Sequence, residues 1–140
     1  MALADLAACT RLVQAFNPVA VGASADNLSS EIDVRGYYEA LVIVNIGTMT
    51  AGSILDVSVI SSPTTAGTFD ATVASMTQQT QAGTDASNSV VVGRILCNGT
   101  EPFWKVSNTV GSDAVTFGVS LLLIPYNTGD EDNTAMDFTV

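Results

Sequence analysis

The sequence predicts an all-β fold, an antiparallel β-sandwich of jelly-roll-like type, and three observations predict it. Apolar and polar residues alternate with a period of two in short stretches such as Leu28 to Val34 and Ala114 to Ile124. Turn-forming clusters, including Gly47 to Gly52 and Ser62 to Gly67, separate these stretches at the spacing common in sandwiches. The run Ala40 to Ile46 is apolar at nearly every position and mostly β-branched, which reads as a central strand covered on both faces. The organisation that follows is an N-terminal helix or arm over 1–18, a sandwich domain over 19–126, and an extended acidic C-terminal tail over 127–140.

Along the chain, Leu3, Leu6, Cys9, Val13 and Phe16 recur at close to a helical period, so Ala2 to Phe16 is expected as a short amphipathic helix ended by Asn17-Pro18. Val19 to Val21 reads as an edge segment and Gly22 to Asn27 as a loop. In Leu28 to Val34, Leu28, Ser30, Ile32 and Val34 share one face, and Ser29, Glu31 and Asp33 the other. Two carboxylates on a strand's solvent face are an ordinary solvated pair, not an acid–base site. After the central strand, Leu55, Val57 and Val59 alternate with Asp56 and Ser58, while Ile54 and Ile60 interrupt the polar face and are candidates to meet a neighbour.

Phe69, Ala71 and Val73 define the next strand, and Met76 to Asn88, with little to bury, is expected as an exposed loop. Strand resumes over Ser89 to Cys97. In Pro102 to Val106, Trp104 and Val106 face the core, and Phe103 and Lys105 face outward as candidate interface residues. Val115, Phe117, Val119, Leu121 and Leu123 all point inward from the last strand of the sandwich. Beyond Pro125 the composition turns to Asn127-Thr128-Gly129-Asp130-Glu131-Asp132-Asn133, a solvated charge run without the ligand order of a calcium loop. Met136, Phe138 and Val140 then alternate with Ala135, Asp137 and Thr139, a pattern able to add a strand to a neighbour's open sheet edge, which makes these three candidate interface residues.

The bulk chemistry narrows the function. Four basic residues against fourteen acidic ones, and no histidine, give the chain of 140 residues a net charge of −10. Clustered Lys and Arg, the source of affinity for phosphates, are missing, so nucleic acid is not an expected partner. No apolar run approaches the ~20 residues that span a bilayer, and no membrane partner is expected. Met1 to Asp5 has no basic n-region, so no standard export signal is expected. Without histidine the usual general base near neutral pH is absent, as is the commonest metal ligand. Cys9 and Cys97 lack metal-ligand spacing and read as free thiols. No phosphate-binding glycine loop occurs. No catalytic, cofactor or metal residues are therefore assigned, and no enzyme is expected. Only 13% of residues are charged while 47% are hydrophobic, the composition of a surface partly covered by neighbours.

The string Asp33-Val34-Arg35-Gly36-Tyr37-Tyr38-Glu39-Ala40-Leu41-Val42-Ile43-Val44-Asn45-Ile46-Gly47, its return Ala51-Gly52-Ser53, and the later Phe103-Trp104-Lys105-Val106 resemble small structural proteins of tailed bacteriophages. The likeness is to the head decoration or cement proteins encoded near the major capsid gene, and it covers Glu31 to Ile124. The resemblance implies a protein that binds the outer surface of the phage head and bridges capsomers. Its implied partners are the major capsid protein and other copies of itself, with trimers favoured, and it implies no cofactor. It implies synthesis in the bacterial cytoplasm and residence in the virion. The acidic tail is not part of that pattern. A second class that the fold permits is a carbohydrate-binding or tail- or baseplate-associated sandwich module of a virion.

Overall fold

The computed structural model describes residues 10–23, 25–82, 88–97 and 99–125. They form β1 (Arg11–Val21), β2 (Ala25–Leu28), β3 (Ile32–Asp33), β4 (Tyr37–Met49), β5 (Ile54–Ser62), β6 (Ala71–Ser75), β7 (Gln79–Thr80), β8 (Ser89–Leu96), β9 (Phe103–Gly111) and β10 (Val115–Pro125). All pairings are antiparallel, and six of them nest. β1 pairs β10, β2 and β3 pair β9, β4 pairs β8, and β5 pairs β6 and β7. The chain is thus a long folded-over ribbon that has been rolled up. Lateral pairing of β4 with β10 and of β5 with β9 completes the roll. The result is a jelly roll of two facing sheets, β1-β10-β4-β8 and β2-β9-β5-β6, with β3 and β7 as short additions to the second.

The core lies between the two inner faces. Ala40, Val42, Val44 and Ile46 of β4 and the five inward residues of β10 meet Leu55, Val57 and Val59 of β5 and Trp104, Val106 and Val110 of β9. Val115, Phe117, Val119, Leu121 and Leu123 are buried as the period-two pattern predicts, and so is Trp104. The Trp104 indole Nε1 donates to the Glu101 carbonyl at 3.0 Å, so its one polar atom stays satisfied inside. Gly36 and Gly52 take positive φ at the turns before and after β4, a conformation open to glycine at no steric cost.

The predicted helix is corrected. Arg11 to Val21 is an edge strand on β10, continuous across the expected boundary at residue 18, while Leu3, Leu6 and Cys9 lie outside the described residues. Register shifts between Gln14 and Phe16 and between Phe16 and Val19 explain the misreading. Each bulge adds a residue, so Val13, Ala15, Phe16 and Val21 reach the core at uneven spacings that break the period of two. An edge strand also tolerates Pro18, which has no N–H to donate. Pro18 sits so close to Gly118 that a Cβ there would fall 2.9 Å from the proline Cγ. Gly118→Ala is therefore expected to push β1 away from β10 and to cost about 1–3 kcal/mol, read from urea unfolding. An unchanged midpoint would contradict this packing.

Three further expectations are revised. The strand expected over Leu28 to Val34 is split, and part of the expected loop, Ala25 to Asn27, is strand. Ser29 interrupts the ladder: its backbone N–H donates to Val106 O, and its Oγ accepts the Val106 N–H, both at 2.9 Å. The side chain replaces a carbonyl, the phase slips, and Leu28 faces outward with Ser29 inside. The stretch from Met76 is not a free loop either, because Met76 N bonds Val57 O and Gln79–Thr80 pairs with β5. Residues 83–87 lie outside the described residues. Finally, only one face of β4 is buried: Ala40, Val42, Val44 and Ile46 pack inside, whereas Leu41 and Ile43 remain partly open and Asn45 exposed.

Candidate interaction surface

The open face of β4 continues across its whole sheet. Antiparallel register places Leu12, Leu122, Leu41 and Arg94 in one row across β1, β10, β4 and β8. Gln14, Ser120, Ile43 and Val92 form the next row. Toward the ends stand Ile124, Glu39 and Leu96 on one side and Gly118, Asn45 and Val90 on the other. Neighbours in these rows alternate with the buried residues, so they point away from the core. Leu12, Val90, Val92 and Leu96 are each more than half exposed, from 55% at Leu96 to 66% at Leu12. Strand spacing and rise give a face of about 19 Å by about 26 Å, on the order of 500 Å². That area includes the polar positions of the face and is the size of the largest patch on a typical monomer, which is often functional.

Electrostatics sets this face apart. Among the described residues its sheet carries one carboxylate, Glu39, and that is paired with Arg94 at 2.5 Å. Asp26, Glu31, Asp33, Asp56, Asp70 and Glu101 belong to the opposite sheet or its loops, and Asp113 to the turn between β9 and β10. In a chain of net charge −10, the described residues thus present one near-neutral, mostly apolar face. The Gln14 and Ser120 side chains satisfy each other in its middle, with Ser120 Oγ donating to Gln14 Oε1 at 3.1 Å.

The residues singled out from sequence as an interface lie on the other sheet. Register brings Lys105 beside Ile60 and Phe103 beside Ser62, while Ile54 stands apart, next to Gly111. The Lys105 Nζ lies 4.4 Å from the centre of the Phe69 ring, and the Arg35 guanidinium 5.1 Å from that of Phe103. Ile54, Ile60, Phe103 and Lys105 are half-buried, and cations cover the Phe69 and Phe103 rings. Met136, Phe138 and Val140 lie outside the described residues. The larger surface was missed from sequence, although a signal existed: Ala40 to Ile46, Ser89 to Leu96 and Leu121 to Ile124 are all apolar on both parities.

The acidic groups that invite a catalytic reading are structural. The Glu31 carboxylate accepts from Thr65 Oγ1 at 2.6 Å and from the Ala66 N–H at 2.8 Å, holding Ala66 at its positive φ. Those bonds lower its pKa, and the Arg35 side chain lowers that of Asp33. Among the described residues no cluster of His, Cys, Asp and Glu could hold a metal ion. No helix among them is long and apolar enough to cross a membrane. Trp104, the chain's one tryptophan, is fully buried and so is not available to stack on a sugar.

Cys97, where β8 ends, is a free thiol whose N–H donates to Tyr38 O at 2.8 Å. Burial, assisted by the Glu39 charge, pushes its pKa up from near 9 to about 11. The folded protein therefore holds this proton more tightly than the unfolded chain, and stability contributed below about pH 9 is lost as pH rises through about 11. The alkaline fall in Tm is expected to be steeper in the parent than in Cys97→Ser; equal slopes would contradict it.

No protein-family profile matches the chain, and no curated protein matches it. Its fold does match solved structures. A chain in the structure of the infectious bursal disease virus Gx strain superposes with a TM-score of 0.55 at 12% identity, covering 87% of this chain and 32% of that one. The infectious bursal disease virus VP2 subviral particle gives a TM-score of 0.56 at 10% identity, covering 83% and 33%. This chain thus spans about a third of the length of the chains it matches, and what it shares with them is the β-sandwich fold.

Proposed function

We propose that this chain is a structural protein of a virion, a head decoration or cement protein that seats the outer face of its four-stranded sheet on a bacteriophage shell. One observation carries this reading: a neutral apolar sheet face on a molecule whose described carboxylates lie almost wholly elsewhere. Such a face is stable in water only at a cost of about 25 cal/mol per Å² left uncovered, so covering it is the chemistry it offers. The fold shared with chains of a viral particle supports the class of protein. The resemblance of Asp33 to Gly47 and Phe103 to Val106 supports the finer assignment, with the major capsid protein and further copies, grouped as trimers, as partners.

The mechanism is mass action. A protein that binds only the expanded shell lowers that state's free energy by RT ln(1 + [L]/Kd), so the shell resists heat and internal pressure. Its acidic outer surface then faces away from the lattice. No bond is made or broken, which agrees with the absence of histidine. The test is to incubate purified protein with expanded capsids. Co-sedimentation and a raised capsid Tm are expected; absence of binding, or binding with an unchanged Tm, would overturn the reading.

A further inference from the structure

Among the described residues each sheet ends in two open edges, and β8 forms the one that carries no protection. β1 has Pro18 and two register shifts. β2 and β3 are four and two residues long, and β6 and β7 five and two, with a register shift where β6 meets β5. Short, bulged or proline-bearing edges resist pairing with another chain. β8 runs for eight residues, Ser89–Leu96, without proline and in unbroken register with β4. Its one charge, Arg94, is paired with Glu39.

The backbone groups that face away from β4 follow from the ladder. The Cys97 N–H donates to Tyr38 O at 2.8 Å, one step past the pair Glu39 and Leu96. Alternation then turns the N–H and C=O of Ile95, Gly93 and Val91 toward β4, and those of Leu96, Arg94, Val92 and Val90 toward the open side. Val90, Val92 and Leu96 are also each more than half exposed. A long, flat, apolar edge of this kind is a template for another strand.

We propose that this strand is β8 of a second copy, paired antiparallel about a two-fold axis through Val92. In that register Val92 lies opposite Val92 of the second copy, and Val90 opposite its Arg94, so these outward-facing backbone groups bond each other. The β-branched pair at the axis suits a sheet surface. The two Arg94 side chains stand about 14 Å apart, whereas an axis through Gly93 would make them diagonal neighbours about 8 Å apart. Val91 of the second copy falls opposite Gly93, where a Cβ would meet nothing within 4 Å. It covers the mouth of a cleft of about 200 Å³ lined by Val42, Val44, Val59, Met76 and Ile95, among others.

Charge favours a second copy at this edge over any other contact between copies. Chains of net charge −10 repel one another, and apart from Glu39 the described carboxylates lie on the opposite sheet, its loops and the turn between β9 and β10. The axis stands perpendicular to the sheet, so the outer faces of both copies turn the same way. A contact one strand long is small for a protein interface, below about 1,200 Å², so the dimer is reversible and forms above about 10 μM. The inference goes beyond the proposed function and does not rest on it, because the edge is distinct from the face assigned to the shell.

Sedimentation velocity on the full chain without capsids, from about 1 μM to about 500 μM, tests it. The parent is expected to pass from monomer to dimer. Val92→Glu sets two carboxylates opposite each other at the axis and is expected to weaken the dimer about tenfold or more. Val90→Glu, opposite Arg94 of the second copy, is expected to preserve or tighten it. Val92→Pro removes an N–H that points away from β4, so it is expected to keep a Tm close to the parent's and to lose the dimer. A parent that stays monomeric at about 500 μM, an oligomer that Val92→Glu leaves intact, or equal weakening by both glutamates would overturn the proposal.

Discussion

Ile43→Lys, alone or with Val92→Lys, is expected to abolish capsid binding while leaving the free protein's Tm and circular dichroism close to those of the parent. Ile43 and Val92 are neighbours across β4 and β8 in the middle of the apolar face. In the free protein both are partly open to water, so a lysine there keeps its ammonium solvated and costs little. Pressed against a partner, the same charge is buried without a counter-ion from this face, because Glu39, its only carboxylate among the described residues, is held by Arg94. An unpaired buried charge costs about 3–5 kcal/mol, a loss of affinity of about a hundredfold or more. A lysine at Lys105's neighbour, Ile60→Lys, acts on the other sheet and is the control: binding should persist. If Ile60→Lys abolishes binding and Ile43→Lys does not, the contact belongs to the opposite sheet.

Trp104→Ala is expected to cost about 3–5 kcal/mol, the largest loss for any single side chain in this core. Trp104 has no exposed surface, pairs across β9 with Ile32 and Ser61, and bonds Glu101 through its indole nitrogen. Alanine removes the ring, leaves a cavity between the sheets, and strands the Glu101 carbonyl. Against a total stability of about 5–15 kcal/mol, that is roughly a fifth or more of what holds the domain. Urea unfolding measures it directly. A loss under about 1 kcal/mol would mean that the two sheets are not clamped at this point.

Strands with an unbroken period of two could be read from sequence residue by residue. β10 buries Val115, Phe117, Val119, Leu121 and Leu123, and β9 buries Trp104 and Val106, as alternation alone demands. Where a ladder is interrupted, alternation fails. Bulges in β1 stretch the spacing from Val13 to Phe16 until it imitates a helix, and the Ser29 hydroxyl standing in for a carbonyl shifts the phase between Leu28 and Ile32. Neither device has a residue signature that distinguishes it from ordinary strand or helix.

The interaction surface was half legible for a different reason. Apolar residues on both parities of Ala40 to Ile46 require that both faces of the strand be covered. They do not say whether the cover is the same chain, and here one face is buried against the opposite sheet while Leu41, Ile43 and Asn45 on the other stay partly or wholly open among the described residues. Ile54, Ile60, Phe103 and Lys105 drew notice because they interrupt polar faces. An interruption is easier to see in a sequence than a face assembled from four strands far apart in the chain.

The most direct test of the central claim is a cryo-electron map of expanded capsids incubated with the protein. The account predicts density for the sandwich on the outer surface, its β1-β10-β4-β8 face turned toward the shell and Ile43 and Val92 within about 4.5 Å of shell atoms. A map in which that face looks out to solvent, or in which the capsids stay bare, would contradict it.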